Sequence, residues 1–87
     1  MPLVSVIIPA FDAEAYLAET VASAQSQSLR DIEIIVVDDA SGDGTLKLAQ
    51  GLAAADPRVR VIAAPRNGGP AVARNRGLAA ARGGWIA

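Results

Sequence analysis

Two adjacent carboxylates, Asp38 and Asp39, follow Ile32-Glu33-Ile34-Ile35-Val36-Val37, a run in which only Glu33 is polar. Behind them comes Ala40-Ser41-Gly42-Asp43-Gly44, a string of turn-forming residues. Like charges side by side at the end of an apolar run have two readings. In one, a carboxylate caps the next helix and its neighbour is solvated. In the other, the pair meets a ligand at the carboxyl end of a strand, where one carboxylate accepts a ring N–H or ribose hydroxyls and the other holds the loop. Phe11, the only Phe, also sits just past an apolar run. It is either a hydrophobic staple on the following helix or an aromatic face for a nucleobase, a stack worth ~1–3 kcal/mol per base. Arg74, Arg76 and Arg82 share the small-residue segment AVARNRGLAAARGG. All three suit a solvated helix surface, and Arg82 is assigned there. Arg74, near the start of its segment, is placed to reach Asp39 or a ligand oxygen with its planar fork.

Composition narrows the chemistry open to these groups. The 87 residues contain no Cys and no His. Disulfides, thiolate nucleophiles, Ser-His-Asp catalysis and the commonest zinc ligands are therefore excluded. A formal net charge of −1 argues against a nucleic-acid surface. Hydrophobic residues make up 52% of the chain and aromatic ones 3%, so the core is aliphatic and suits helices packed on a sheet. The N-terminal MPLVSVIIPAF lacks a basic leader, and no apolar run is long enough to span a membrane. A cytoplasmic location is the expectation.

The elements that would position these groups alternate regularly. Leu3–Ala10 reads as a buried strand ended by Pro9. Asp12 reads as the N-cap of a helix from Ala13 to Ser26, with Leu17, Val21 and Ala24 on one face. Ile32–Val37 is a second buried strand. Ser41 or Asp43 caps a second helix, striped by Leu48, Leu52 and Ala55 and stopped at Asp56-Pro57. Val59–Ala63 is a third strand, and Pro65–Gly69 a turn-rich loop. Pro70 opens a third helix to about Ala81, Gly83-Gly84 breaks it, and Trp85 begins a fourth strand. This order predicts one α/β domain, a Rossmann-like three-layer parallel sheet with helices on both faces. Ligands of such sheets bind beyond the carboxyl ends of the strands. Three loops meet there: Pro9 to Asp12, Asp38 to Gly44 and Ala64 to Gly69. The first loop has neither the glycine fingerprint of dinucleotide folds nor a Gly-Lys-Ser/Thr phosphate loop, which argues against hydride transfer and ordinary ATP hydrolysis.

Taken together, VSVIIPAF, IIVVDDASGDGT and NGGPAVARNRGLAAARGGWIA resemble the N-terminal part of family-2 glycosyltransferases with the GT-A fold. The likeness covers essentially the whole chain, and the order of the three segments makes it specific. It implies a site for a nucleoside-diphosphate sugar, with a UDP-sugar as the expected donor. Pro9, Phe11, Asp39 and Arg74 would surround base and ribose, with Asp39 taking the uracil N–H. Asp38 adjoins this set, and Glu14 matches a commonly acidic family position. Asp12 departs from the family's usual Asn. The resemblance also implies Mg²⁺ or Mn²⁺ on the diphosphate, held by an Asp-x-Asp motif beyond Ala87. The 87 residues are thus expected to be a truncated, inactive, partial nucleotide-sugar-binding domain that binds no metal, and to form a homo-oligomer through an exposed sheet edge. A response-regulator receiver is a rival signalling reading, but it needs a further Asp at a later strand end, where this chain has Val61-Ile62-Ala63-Ala64-Pro65. A non-catalytic nucleotide-binding or assembly domain is another.

Overall fold

A computed structural model describes residues 4–26 and 31–87. Four strands, β1 (Val4–Ala10), β2 (Ile32–Asp38), β3 (Val59–Ala63) and β4 (Trp85–Ile86), alternate with α1 (Leu17–Gln25), α2 (Thr45–Ala55) and α3 (Pro70–Ala80). All strand pairs are parallel, in the order β3-β2-β1-β4. The expected α/β architecture is therefore present. The proposed strand start at Leu3 lies outside the described residues.

The apolar runs explain the layers. Every residue of β2 is buried, because this central strand has helices on both sides. Ile34 and Val36 pack towards Leu17, Val21 and Ala24 of α1 and Ala49 of α2. Ile35 and Val37 pack with Ile7 towards Ala73 of α3. Side chains alternate along a strand, so one continuous aliphatic run feeds two separate cores. On the α3 side the approach is close. A Cβ on Gly77 would lie 2.5 Å from Ile7 Cγ2 and 3.3 Å from Val37 Cγ2.

Three details differ from expectation. β1 reaches Ala10 as expected, but Pro9 lies inside it rather than ending it. The groups of Ser5 and Ile7 face β4, through the Ala87 N–H on Ser5 O and the Ile7 N–H on Ala87 O. Pro9 continues that row, and among the described residues no strand lies beside it, so its missing N–H breaks no ladder bond there. Asp12 is not the cap of α1, because a hydrogen-bonded turn from Ala13 to Tyr16 precedes the regular helix. The α2 stripe is also shifted: Thr45 and Ala49 are buried, Leu48 and Leu52 are only partly so, and Ala55 is exposed.

Glu33, the one charge inside the β2 run, is 5% exposed. It accepts hydrogen bonds from Ser5 Oγ at 2.6 Å, Arg60 Nη1 at 2.7 Å and the Arg82 N–H. Ser5 Oγ also accepts from the Gly83 N–H, and Arg60 donates to Ala80 O. Burial opposes ionisation of Glu33, yet the bonds from Ser5, the Arg82 amide and Arg60, with the Arg60 charge, lower its pKa to about 2. This network ties the end of α3 and the turn into β4 onto the sheet. Among the described residues, no helix is long and apolar enough to cross a membrane.

Candidate functional site

Strand alternation separates the aspartate pair. Asp38 follows Val36 on the α1–α2 side and Asp39 follows Val37 on the α3 side, so two adjacent like charges point to opposite faces. Both are buried, at 2% and 3% exposure. The Asp39 N–H donates to Ala10 O, and the Ala64 N–H donates to Asp38 O, which joins the three strand ends at the level of the pair. Just beyond, Ala40 takes a left-handed φ of 58°, an unfavourable conformation for a residue with a Cβ.

The Asp39 carboxylate organises the third loop. Its Oδ1 accepts from the Gly68 N–H and its Oδ2 from the Gly69 N–H, both at 2.9 Å. Asn67 Nδ2 donates to the Asp39 carbonyl at 3.3 Å. Gly69 has φ 88°, which glycine adopts without steric cost, and Pro70 then opens α3. The guanidinium beside Asp39 belongs to Arg76, with Nη1 3.8 Å from Oδ1. That nitrogen is enclosed and has no hydrogen-bond partner. Arg74, assigned this place from sequence, is exposed on α3 instead. The helix seats Ala73 and Gly77 on the sheet, and this phase turns Arg76 rather than Arg74 towards Asp39.

Around Asp39 lies a cleft of about 290 Å³, close to the lower end of the usual size range for small-ligand sites, lined by Pro9, Phe11, Asp39, Asn67, Pro70 and Ala73 among others. Phe11 is half exposed, at 50%, and gives the cleft an aromatic wall. Three of the residues singled out from sequence, Pro9, Phe11 and Asp39, thus meet in one place. Asp38 lies beneath on the other face, with Oδ1 enclosed and unpartnered. Glu14 lies outside the cleft, where its Oε1 accepts from the Gly44 N–H at 2.9 Å. Sequence reasoning assigns none of Asn67, Pro70, Ala73 and Arg76 to the site: it reads Pro70 as a helix start and Arg76 as a surface charge. The Asn-Gly-Gly-Pro turn was the signal for the first two; nothing in the sequence fixed the phase that selects the others.

The chemical capacity of the cleft is recognition. It offers a buried carboxylate, an aromatic face and loop backbone, with neither a His nor a Cys in the chain. Among the described residues no three acidic groups converge on a point where a metal ion could be held.

A family model described as "Glycosyl transferase family 2" matches residues 5–87. An uncharacterised glycosyltransferase of Haemophilus influenzae is 42% identical over 86 residues, 99% of this chain and 34% of that protein. The putative teichuronic acid biosynthesis glycosyltransferase TuaG of Bacillus subtilis is 44% identical, with the same coverage. The chain therefore spans about a third of the length of these relatives. Staphylococcus aureus TarS 1–349 in complex with UDP-GlcNAc superposes with a TM-score of 0.86 at 32% identity, over 97% of this chain and 25% of that one. The mannosyltransferase PcManGT of Pyrobaculum calidifontis, in complex with GDP-Man and Mn²⁺, gives 0.89 at 28% identity, over 98% and 26%. With the fold, the strand-end cleft and this match over nearly its whole length, the chain belongs to glycosyltransferase family 2.

Proposed function

We propose that residues 1–87 form a partial nucleotide-sugar-binding domain, and that the intact protein transfers a sugar from a nucleoside-diphosphate sugar to an acceptor hydroxyl. A UDP-sugar is the donor this reading favours. The observation that carries it is the cleft, which brings Phe11 and the buried Asp39 together at the carboxyl ends of parallel strands. The relatives and solved structures that resemble the chain support it, because two of those structures hold UDP-GlcNAc and GDP-Man.

In this reading Phe11 stacks on the base. Asp39, already accepting one N–H on each oxygen, uses a remaining lone pair for the ring N–H of uracil. Pro9 and Ala73 close the apolar floor, and Arg76 keeps a positive charge behind the carboxylate. Arg74, exposed on the helix that borders the cleft, meets a ligand oxygen in this reading, and Asp38 holds the loop beneath.

A divalent ion, Mg²⁺ or Mn²⁺, would neutralise the departing diphosphate in the intact protein, and one of the similar structures contains Mn²⁺. Among the described residues no three acidic groups converge on a metal position, and the proposed nucleoside contacts involve no metal. The 87-residue chain alone is accordingly expected to bind nucleotide without turnover. A homo-oligomer joined near β4 and a cytoplasmic location complete this reading. Exposed Trp85, Ile86 and Leu78 support the first, which light scattering tests; fractionation of tagged protein tests the second.

Calorimetric titration with UDP, with and without Mn²⁺, tests the donor site. Metal-independent binding that is lost in Asp39→Ala and weakened in Phe11→Ala is expected. Equal binding by wild type and both variants would overturn the assignment.

A further inference from the structure

On the face opposite α3, the first and second loops are interlocked by five hydrogen bonds in both directions. Three consecutive amides of the first loop donate to side chains of the second: Asp12 to Ser41 Oγ at 2.9 Å, Ala13 to Thr45 Oγ1 at 2.8 Å and Glu14 to Asp43 Oδ2 at 3.3 Å. In return, two carboxylates of the first loop accept from glycine amides of the second. Gly42 N–H reaches Asp12 Oδ1 at 2.8 Å, and Gly44 N–H reaches Glu14 Oε1 at 2.9 Å.

The backbone is shaped for this exchange. Asp12 takes a φ of 49°, a conformation for which Asp and Asn are among the better suited residues with a side chain. A Cβ on Gly44 would lie 2.6 Å from Glu14 Oε2, so any larger residue there would push the carboxylate out of its present position. Asp43 is held in turn by Thr45: the Thr45 hydroxyl and amide both bond its Oδ1, and the hydroxyl bond is the main reason its carboxyl stays below the usual range.

Phe11 is caught between two fixed points. Ala10, before it, accepts the Asp39 N–H; Asp12, after it, is locked to Ser41 and Gly42. We propose that Asp12 and Glu14 are positioning residues, whose carboxylates clamp the two loops together and thereby hold Phe11 at the mouth of the cleft. The nucleoside part of this inference rests on the function proposed above; the clamp itself does not. It gives Glu14 a role that needs no contact with ligand. It also explains why Asp is acceptable at position 12, since an Asn Oδ1 would accept the same bond.

The test combines amide exchange with UDP titration on the folded 87-residue protein, comparing wild type with Asp12→Ala, Asp12→Asn and Glu14→Ala. Asp12→Ala should accelerate exchange at Gly42 and also at Ala13, whose own partner Thr45 is untouched, by about tenfold, the effect of losing one bond of ordinary strength. UDP affinity should fall by a similar factor, and Asp12→Asn should restore both. Glu14→Ala repeats the test at Gly44 if Asp12→Ala does not fold. Unchanged exchange at Ala13 in a folded variant would overturn the clamp. Faster exchange with unchanged UDP affinity would leave a structural clasp and refute the positioning role. If wild type binds no UDP, the donor assignment fails, and exchange at Ala13 alone decides the clamp.

Discussion

Replacing Glu33 with Gln keeps the shape of the side chain and removes its charge from the middle of the sheet. The wild-type carboxylate accepts from Ser5, Arg60 and the Arg82 amide, and its pKa falls from 4.5 to about 2. A shift of that size corresponds to about 3 kcal/mol of stability at neutral pH. Domains of this length have on the order of 4–13 kcal/mol in total, so the substitution should remove a large part of it. Gln would also turn an N–H towards donors, which adds to the loss rather than offsetting it. The sign with pH follows from the direction of the shift. A carboxyl that ionises more readily when folded stabilises fully above its unfolded value of 4.5, and that contribution fades as pH falls towards about 2. Urea denaturation of both proteins at pH 7, 4 and 3 measures it. Wild type should exceed Glu33→Gln by about 3 kcal/mol at pH 7, with the gap narrowing through the acid range. A gap under about 1 kcal/mol at pH 7, the level of an exposed ion pair, would refute the reasoning, as would a gap that does not narrow with acid.

Two further substitutions probe the backbone. Gly77→Ala places a methyl 2.5 Å from Ile7 Cγ2; overpacking of this kind costs about 1–3 kcal/mol, seen as a lower Tm and, through displaced Ala73, weaker UDP binding. Ala40→Gly should raise stability by about 1 kcal/mol, because it removes the left-handed strain at φ 58°; a lower Tm would contradict that.

The sheet was legible because its signals are local. Continuous aliphatic runs gave β2 and β3, and Pro70 with Gly83-Gly84 bounded α3 closely. The meeting of Pro9, Phe11 and Asp39 was legible from topology, since all three lie at or just past the carboxyl ends of neighbouring strands. What escaped depends on tertiary partners. Asp12 has the residue type of a helix cap, but its carboxylate bonds Gly42 thirty residues away. The choice between Arg74 and Arg76 depends on helix phase, and α3 has small or polar residues nearly all round, so no apolar stripe sets it. Glu33 looked like an interruption of an apolar strand; its partners come from β1, β3 and the turn before β4.

The central claim is that the cleft around Asp39 holds a nucleoside. Titrating ¹⁵N-labelled protein with UDP and following its amide resonances tests it most directly. The account expects the largest shifts at Phe11, Asp39, Gly68 and Gly69, with Arg60 and Gly83 at the opposite end of the strands unmoved. Shifts centred elsewhere, or the same map in Asp39→Ala, would contradict it.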